Sequence, residues 1–112
     1  MSVENNDSAY LADMIEAGNA VREYLTGMTL KTLVRDRMRC RAVEREFEIL
    51  GEAARQLSVA FRERHPNLPL AKVIGLRNVI AHGYAEVDYS ILFTIARDEL
   101  PDLLSTLRQL LP

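Results

Sequence analysis

A single cysteine, Cys40, excludes an intramolecular disulfide framework. Cys40 and the two histidines, His65 and His82, form no cluster with zinc-ligand spacing, so no metal or other cofactor is expected. So little thiol suits a reducing cytoplasm, which is the expected location. The N-terminal stretch Met1 to Asp7 lacks the basic-then-apolar layout of a signal peptide. No apolar run approaches the length needed to cross a bilayer, so no membrane partner is expected. Positive charge is not in excess, with 14 Lys and Arg against 16 Asp and Glu and a formal net charge of −2. Composition therefore gives no reason to expect nucleic acid. Any such binding has to come from a local basic patch or from a site made by two chains. Strand-type alternation is scarce, and no repeat, low-complexity stretch or domain linker is present.

What remains is helical periodicity. A chain of 112 residues suits one domain, residues 1–112, with a modest core. Its 48% hydrophobic and 27% charged content is ordinary for a soluble globular protein. The spacing predicts a first helix beginning after Asp7 or Ser8, either of which can cap it, and stopping at Gly27. Thr29 to Val34 reads as a short helical lead-in. A long helix follows over roughly 35–64, with Val43, Phe47, Leu50, Ala54, Leu57 and Phe61 on one seam. Steps averaging about 3.5 residues favour near-parallel packing on a neighbouring helix. Pro66 and Pro69 break the pattern, and Pro69 can open a helix that ends at Gly83. The last helix starts near Asp88, and Pro101 should kink or split it. The expected fold is all-α, an up-down bundle of four or five helices.

The chemistry is concentrated in Arg77-Asn78-Val79-Ile80-Ala81-His82-Gly83-Tyr84. Arg77 is a permanent cation that can fork two hydrogen bonds onto a phosphate. His82 can take or give a proton near neutral pH. Tyr84 offers a hydroxyl that can bind phosphate, assist proton transfer or accept a modification. On a regular helix Asn78 and His82 are neighbours and Arg77 and Tyr84 share a face, whereas Arg77 and His82 do not. A helix end at Gly83 would let the tail turn and bring His82 and Tyr84 towards Arg77. Each residue also has a plainer reading. His82, like His65, can be a favourable charge at a helix C-terminus, Arg77 a surface ion-pair partner and Tyr84 a core residue. The arginines at 35, 37, 39, 41 and 45 can form an RNA contact surface or a solvated, salt-bridged one.

Arg77-x4-His82-x-Tyr84 at a helix end in a small all-α chain resembles the HEPN superfamily, and more narrowly its HepT-like ribonuclease toxins. Ala42 to Arg45, Glu48 to Ala54, Pro66-x-Leu68-Pro69, Gly75 to Asn78, Val87-Asp88 and Leu100-Pro101 follow that family's stretches in order. Leu70 stands where relatives often carry tryptophan, and Ala85 where they often carry a bulky aromatic. The resemblance implies a metal-independent endoribonuclease toxin acting on RNA as a homodimer, with its site at the subunit interface. Arg77, His82 and Tyr84 would be catalytic. It also implies a partner, a minimal nucleotidyltransferase antitoxin that transfers AMP to Tyr84. Asn78 is expected to orient His82 or touch substrate, and Glu52 to hold Arg77 or face solvent. The alternatives are a non-catalytic substrate-binding subunit of that nucleotidyltransferase and a plain helical interaction domain.

Overall fold

The computed structural model describes the backbone of residues 3–82 and 87–111, and the side chains of 6–76, 80 and 87–111. Every regular element among the described residues is an α-helix. They are α1 (Val3–Tyr24), α2 (Leu30–Arg35), α3 (Arg37–Gln56), α4 (Val59–Arg64), α5 (Leu70–His82), α6 (Tyr89–Asp98) and α7 (Leu100–Leu110). The fold is the expected all-α bundle, divided into more pieces than four or five.

α3 is the central element, packed most extensively against α1 and α5. Its seam of Cys40, Val43, Phe47, Leu50, Ala54 and Leu57 is buried. α1 answers with Leu11, Met14, Ala17 and Val21. The two helices run in opposite directions. Near the end of α1 the Tyr24 hydroxyl donates to Glu46, and an Arg39 guanidinium N–H donates to the Tyr24 carbonyl, both on the first half of α3. Near its start, Asp7 meets Ser58 just beyond the end of α3. α7 closes the bundle through Leu100, Leu103, Leu104 and Leu107. Gly18 allows this, because a Cβ there would lie 2.5 Å from a methyl of the fully buried Leu104.

The joints follow local chemistry in most places. Gly27 takes a φ of +75° after α1, as a stop at glycine requires. Thr29 and Thr32 form a reciprocal capping box on α2, and Asp36 caps α3 through the Arg39 N–H at 3.0 Å. Asp88 caps α6 by accepting from the Ser90 N–H at 3.0 Å. Pro101 falls in the first turn of α7, where its missing N–H costs nothing, so the last helix is split rather than bent. Pro69 lies just outside α5, and its carbonyl accepts from the Val73 N–H. Leu70 is buried in the core.

Two expectations are corrected. α1 begins at Val3, so Asp7 is inside the helix and caps nothing on α1. The expected helix over 35–64 is interrupted at Asp36 and again at Leu57, whose ψ of 141° is extended. The causes of the second break lie on both sides of it. Asp7 accepts from the Ser58 N–H and hydroxyl, the Ser58 oxygen accepts from the Phe61 N–H, and the Arg62 guanidinium donates to the carbonyls of Ala54 and Arg55. Phe61 nevertheless stays in the core. The apolar period therefore continues across the break and conceals it.

Candidate functional site

Residues 77–82 of the segment of interest form the end of α5. Leu70 and Val73 are buried, and Val73 and Leu76 line a cavity of about 30 Å³ with Phe47 and Leu50 of α3. Those residues define the α3-facing stripe of α5. Position 77 comes seven residues after Leu70 and four after Val73, so it falls within about 40° of that stripe around the helix axis. Positions 78 and 82 are three and seven residues after Gly75, and so share its outer stripe. Ala71 and Gly75 on that stripe are exposed, and a Cβ at Gly75 would meet nothing within 4 Å.

The helix is regular through His82. Positions 77 and 82 are therefore about 140° apart around it, and any backbone turn comes after both. Gly83 and Tyr84 lie outside the described residues, as does Ala85. Asn78 and His82 are four residues apart and occupy neighbouring register positions, as expected. Glu52 lies on α3, the helix against which α5 packs. It pairs with Arg55 at 2.8 Å and accepts from Gln56 at 3.1 Å. It also lines a groove with Tyr10, Asp13 and Arg45 among the described residues.

The arginine run resolves into two sets. Arg39 pairs with Asp36, Arg41 with Glu44 and Arg45 with Glu48, each at i,i+3. Arg35 and Arg37 are exposed and have no such partner among the described residues. His65 stacks at a tilt on Phe61, with ring centroids 4.5 Å apart. That contact is a packing role.

Sequence reasoning missed a buried polar contact beside the α5–α6 connection. Glu44, 8% exposed, accepts a hydrogen bond from the Tyr89 hydroxyl at 2.5 Å. Burial, and then the Glu44 carboxylate, push the Tyr89 hydroxyl up to about 12. The nearby Cys40 thiol is raised as well, first by burial and then by the charges of Glu44 and Asp36, and it donates to the Leu33 carbonyl at 3.1 Å. Cys40 is therefore an inert core thiol. The Glu44–Tyr89 contact fastens the start of α6 to α3, while Val73 packs α5 on the same helix. Both flanks of the segment after His82 thus share one support. Its sequence signal was faint: a glutamate one position beyond Val43, and a tyrosine just after a capping aspartate.

Residues 14–110 match the family described as Ribonuclease HepT-like, and the chain belongs to that family. It is similar to a protein of Methanocaldococcus jannaschii named "Putative RNase MJ1380", with 36% identity over 95 residues, covering 85% of this chain and 87% of the relative. A Caldanaerobacter subterraneus protein named "Putative RNase TTE0752" is 30% identical over 102 residues, 91% of each chain. The "Probable ribonuclease HepT" of Thermococcus cleftensis is 29% identical over 94 residues, 84% of this chain and 86% of its own. No solved structure matches the chain. No helix among the described residues is long and apolar enough to cross a membrane.

Proposed function

We propose that the protein is a metal-independent endoribonuclease toxin, active as a homodimer and silenced by AMP transfer to Tyr84 from a partner minimal nucleotidyltransferase. The observation that carries this reading is the register of Arg77 and His82 at the end of α5 in a HepT-like chain. Two positions about 140° apart on one helix suit a site completed by a second copy better than a site closed within one chain. The bare outer stripe of Ala71 and Gly75 leaves room beside Asn78 and His82 for that copy.

RNA carries its own nucleophile. One His82 imidazole takes the proton of the ribose 2′-hydroxyl as that oxygen forms its bond to phosphorus. The P–O5′ bond breaks, and the imidazolium of the second copy's His82 gives its proton to the departing oxygen. Arg77 guanidinium groups hold the charge that grows on the non-bridging oxygens. The products are a 2′,3′-cyclic phosphate and a 5′-hydroxyl. Asn78 orients His82 from its neighbouring register position. An adenylyl group on Tyr84 would bring a negative phosphate and a bulky base into the same cleft, repelling RNA. Glu52, on α3, would hold the Arg77 guanidinium in place.

The test is cleavage of end-labelled RNA in EDTA by wild type, Arg77→Ala and His82→Ala, with helix content followed by circular dichroism. Cleavage by wild type alone, at equal helicity, is expected. Full activity in both variants would remove the assignment. Absent cleavage in all three, with RNA still bound, would favour a substrate-binding subunit.

A further inference from the structure

α2 is a short helix with an ordered distribution of chemistry around its axis. Leu33 is fully buried and anchors it. Leu30 and Val34, four residues apart, form an outer apolar stripe beside that anchor, and Lys31 and Arg35, also four apart, form a basic stripe beyond it. The chain then enters α3, where Arg37 and Met38 are both exposed. Val34 is 52% exposed and Met38 85% exposed. α2 packs against α6, whose first turn adds the half-exposed Ile91. The side chains of Lys31, Arg35 and Arg37 make no ion pair or hydrogen bond with any described residue. The other arginines early in α3 all do. Aliphatic surface flanked by three unanswered cations is thus gathered at one corner of the molecule.

We propose that this corner, the outer face of α2 with the first turn of α3, docks an acidic amphipathic helix of a partner protein. Apolar residues at i,i+4 receive the apolar stripe of such a helix, and Met38 adapts its shape to what it meets. The cations face the glutamates or aspartates bordering that stripe, which gives orientation and discriminates against basic partners. RNA fits less well, because α2 and the first turn of α3 carry no aromatic side chain on which a base could stack. The proposal does not rest on RNA cleavage.

The test uses the full chain and a fluorescein-labelled synthetic helix of leucine and glutamate at amphipathic spacing, read by fluorescence anisotropy. A second peptide has lysine in place of glutamate. Single-stranded RNA and phosphatidylglycerol vesicles are run alongside. Expected is tighter binding of the acidic peptide, weakened about tenfold by Val34→Asp with Met38→Asp and about tenfold by Lys31→Glu with Arg35→Glu. Val59→Asp, an exposed apolar control on α4, should leave binding unchanged. All the altered side chains are exposed, so circular dichroism should be constant across the set. Equal binding of both peptides, or indifference to both double variants, would overturn the proposal. So would preference for RNA or vesicles through the same residues, or a self-association in sedimentation that Val34→Asp with Met38→Asp abolishes. His82→Ala protein should bind the peptide like wild type, which separates this result from the fate of the ribonuclease reading.

Discussion

The Asp7 carboxylate accepts the backbone N–H of Ser58 at 2.8 Å and its hydroxyl at 2.7 Å. One buried side chain near the start of α1 thereby holds the joint between α3 and α4. Asp7→Ala should cost about 2 kcal/mol, since hydrogen bonds to a charged group are the stronger kind and the Ser58 donors would lose their acceptor. Chemical denaturation of Asp7→Ala, Ser58→Ala and the double variant should give a non-additive cycle. Additive losses would mean that the contact is idle.

Tyr89→Phe leaves the Glu44 carboxylate buried without its hydroxyl donor, an expected loss of about 1–3 kcal/mol. The pH dependence has a definite sign. The Tyr89 proton is held more tightly in the folded protein, up to about 12, than in the unfolded chain near 10. Its contribution is fully present below the unfolded value and is lost as pH rises through the folded one. The stability gap between wild type and Tyr89→Phe should therefore be constant to about pH 9 and narrow above about pH 10. A gap that does not narrow would show that the hydroxyl titrates normally.

Two glycines separate backbone cost from packing. Gly75 is exposed within α5 with no neighbour in reach, so Gly75→Ala should stabilise by about 0.5–1 kcal/mol. Gly18→Ala gains the same helix propensity but drives a methyl into Leu104, and overpacking of about 1–3 kcal/mol should win. Melting temperatures should therefore move in opposite directions. The gain for Gly75→Ala is read on dilute, monomeric protein, because in the proposed homodimer the added methyl would meet the second copy.

The proposed pooling of two His82 imidazoles has its own signature. Heterodimers of wild type with His82→Ala, isolated with two affinity tags, should cleave RNA far below half the wild-type rate, because losing one proton-transfer group costs about 10²–10⁴-fold. Half activity would mean that each chain works alone.

On the proposed regulation, co-expression with a partner nucleotidyltransferase should add the mass of AMP to the protein, and Tyr84→Phe should abolish that gain with helix content unchanged. An adduct that persists would move the modification elsewhere.

Much of this molecule could be read along the chain. The steps from Val43 to Leu57 announced the central helix because a helix burying one face must repeat apolar residues at 3.6-residue intervals. Gly27, Asp88 and Pro101 act on their own backbone, so their effects were visible without neighbours. Arg77 and His82 were legible for the same reason, as a dense local set of chemical groups. The break at Ser58 was not, because its acceptor is 51 residues away on α1 and the apolar seam runs on to Phe61. Nor was the Glu44–Tyr89 contact, which spans 45 residues. The sequence by itself thus determined the helical class, most of the joints and the register of the motif, since these depend on groups within a turn or two of each other. Only the tertiary structure decided where the long helix divides, which acids are buried and which cations lack a partner among the described residues. Those outcomes depend on which distant side chains packing brings within hydrogen-bonding reach.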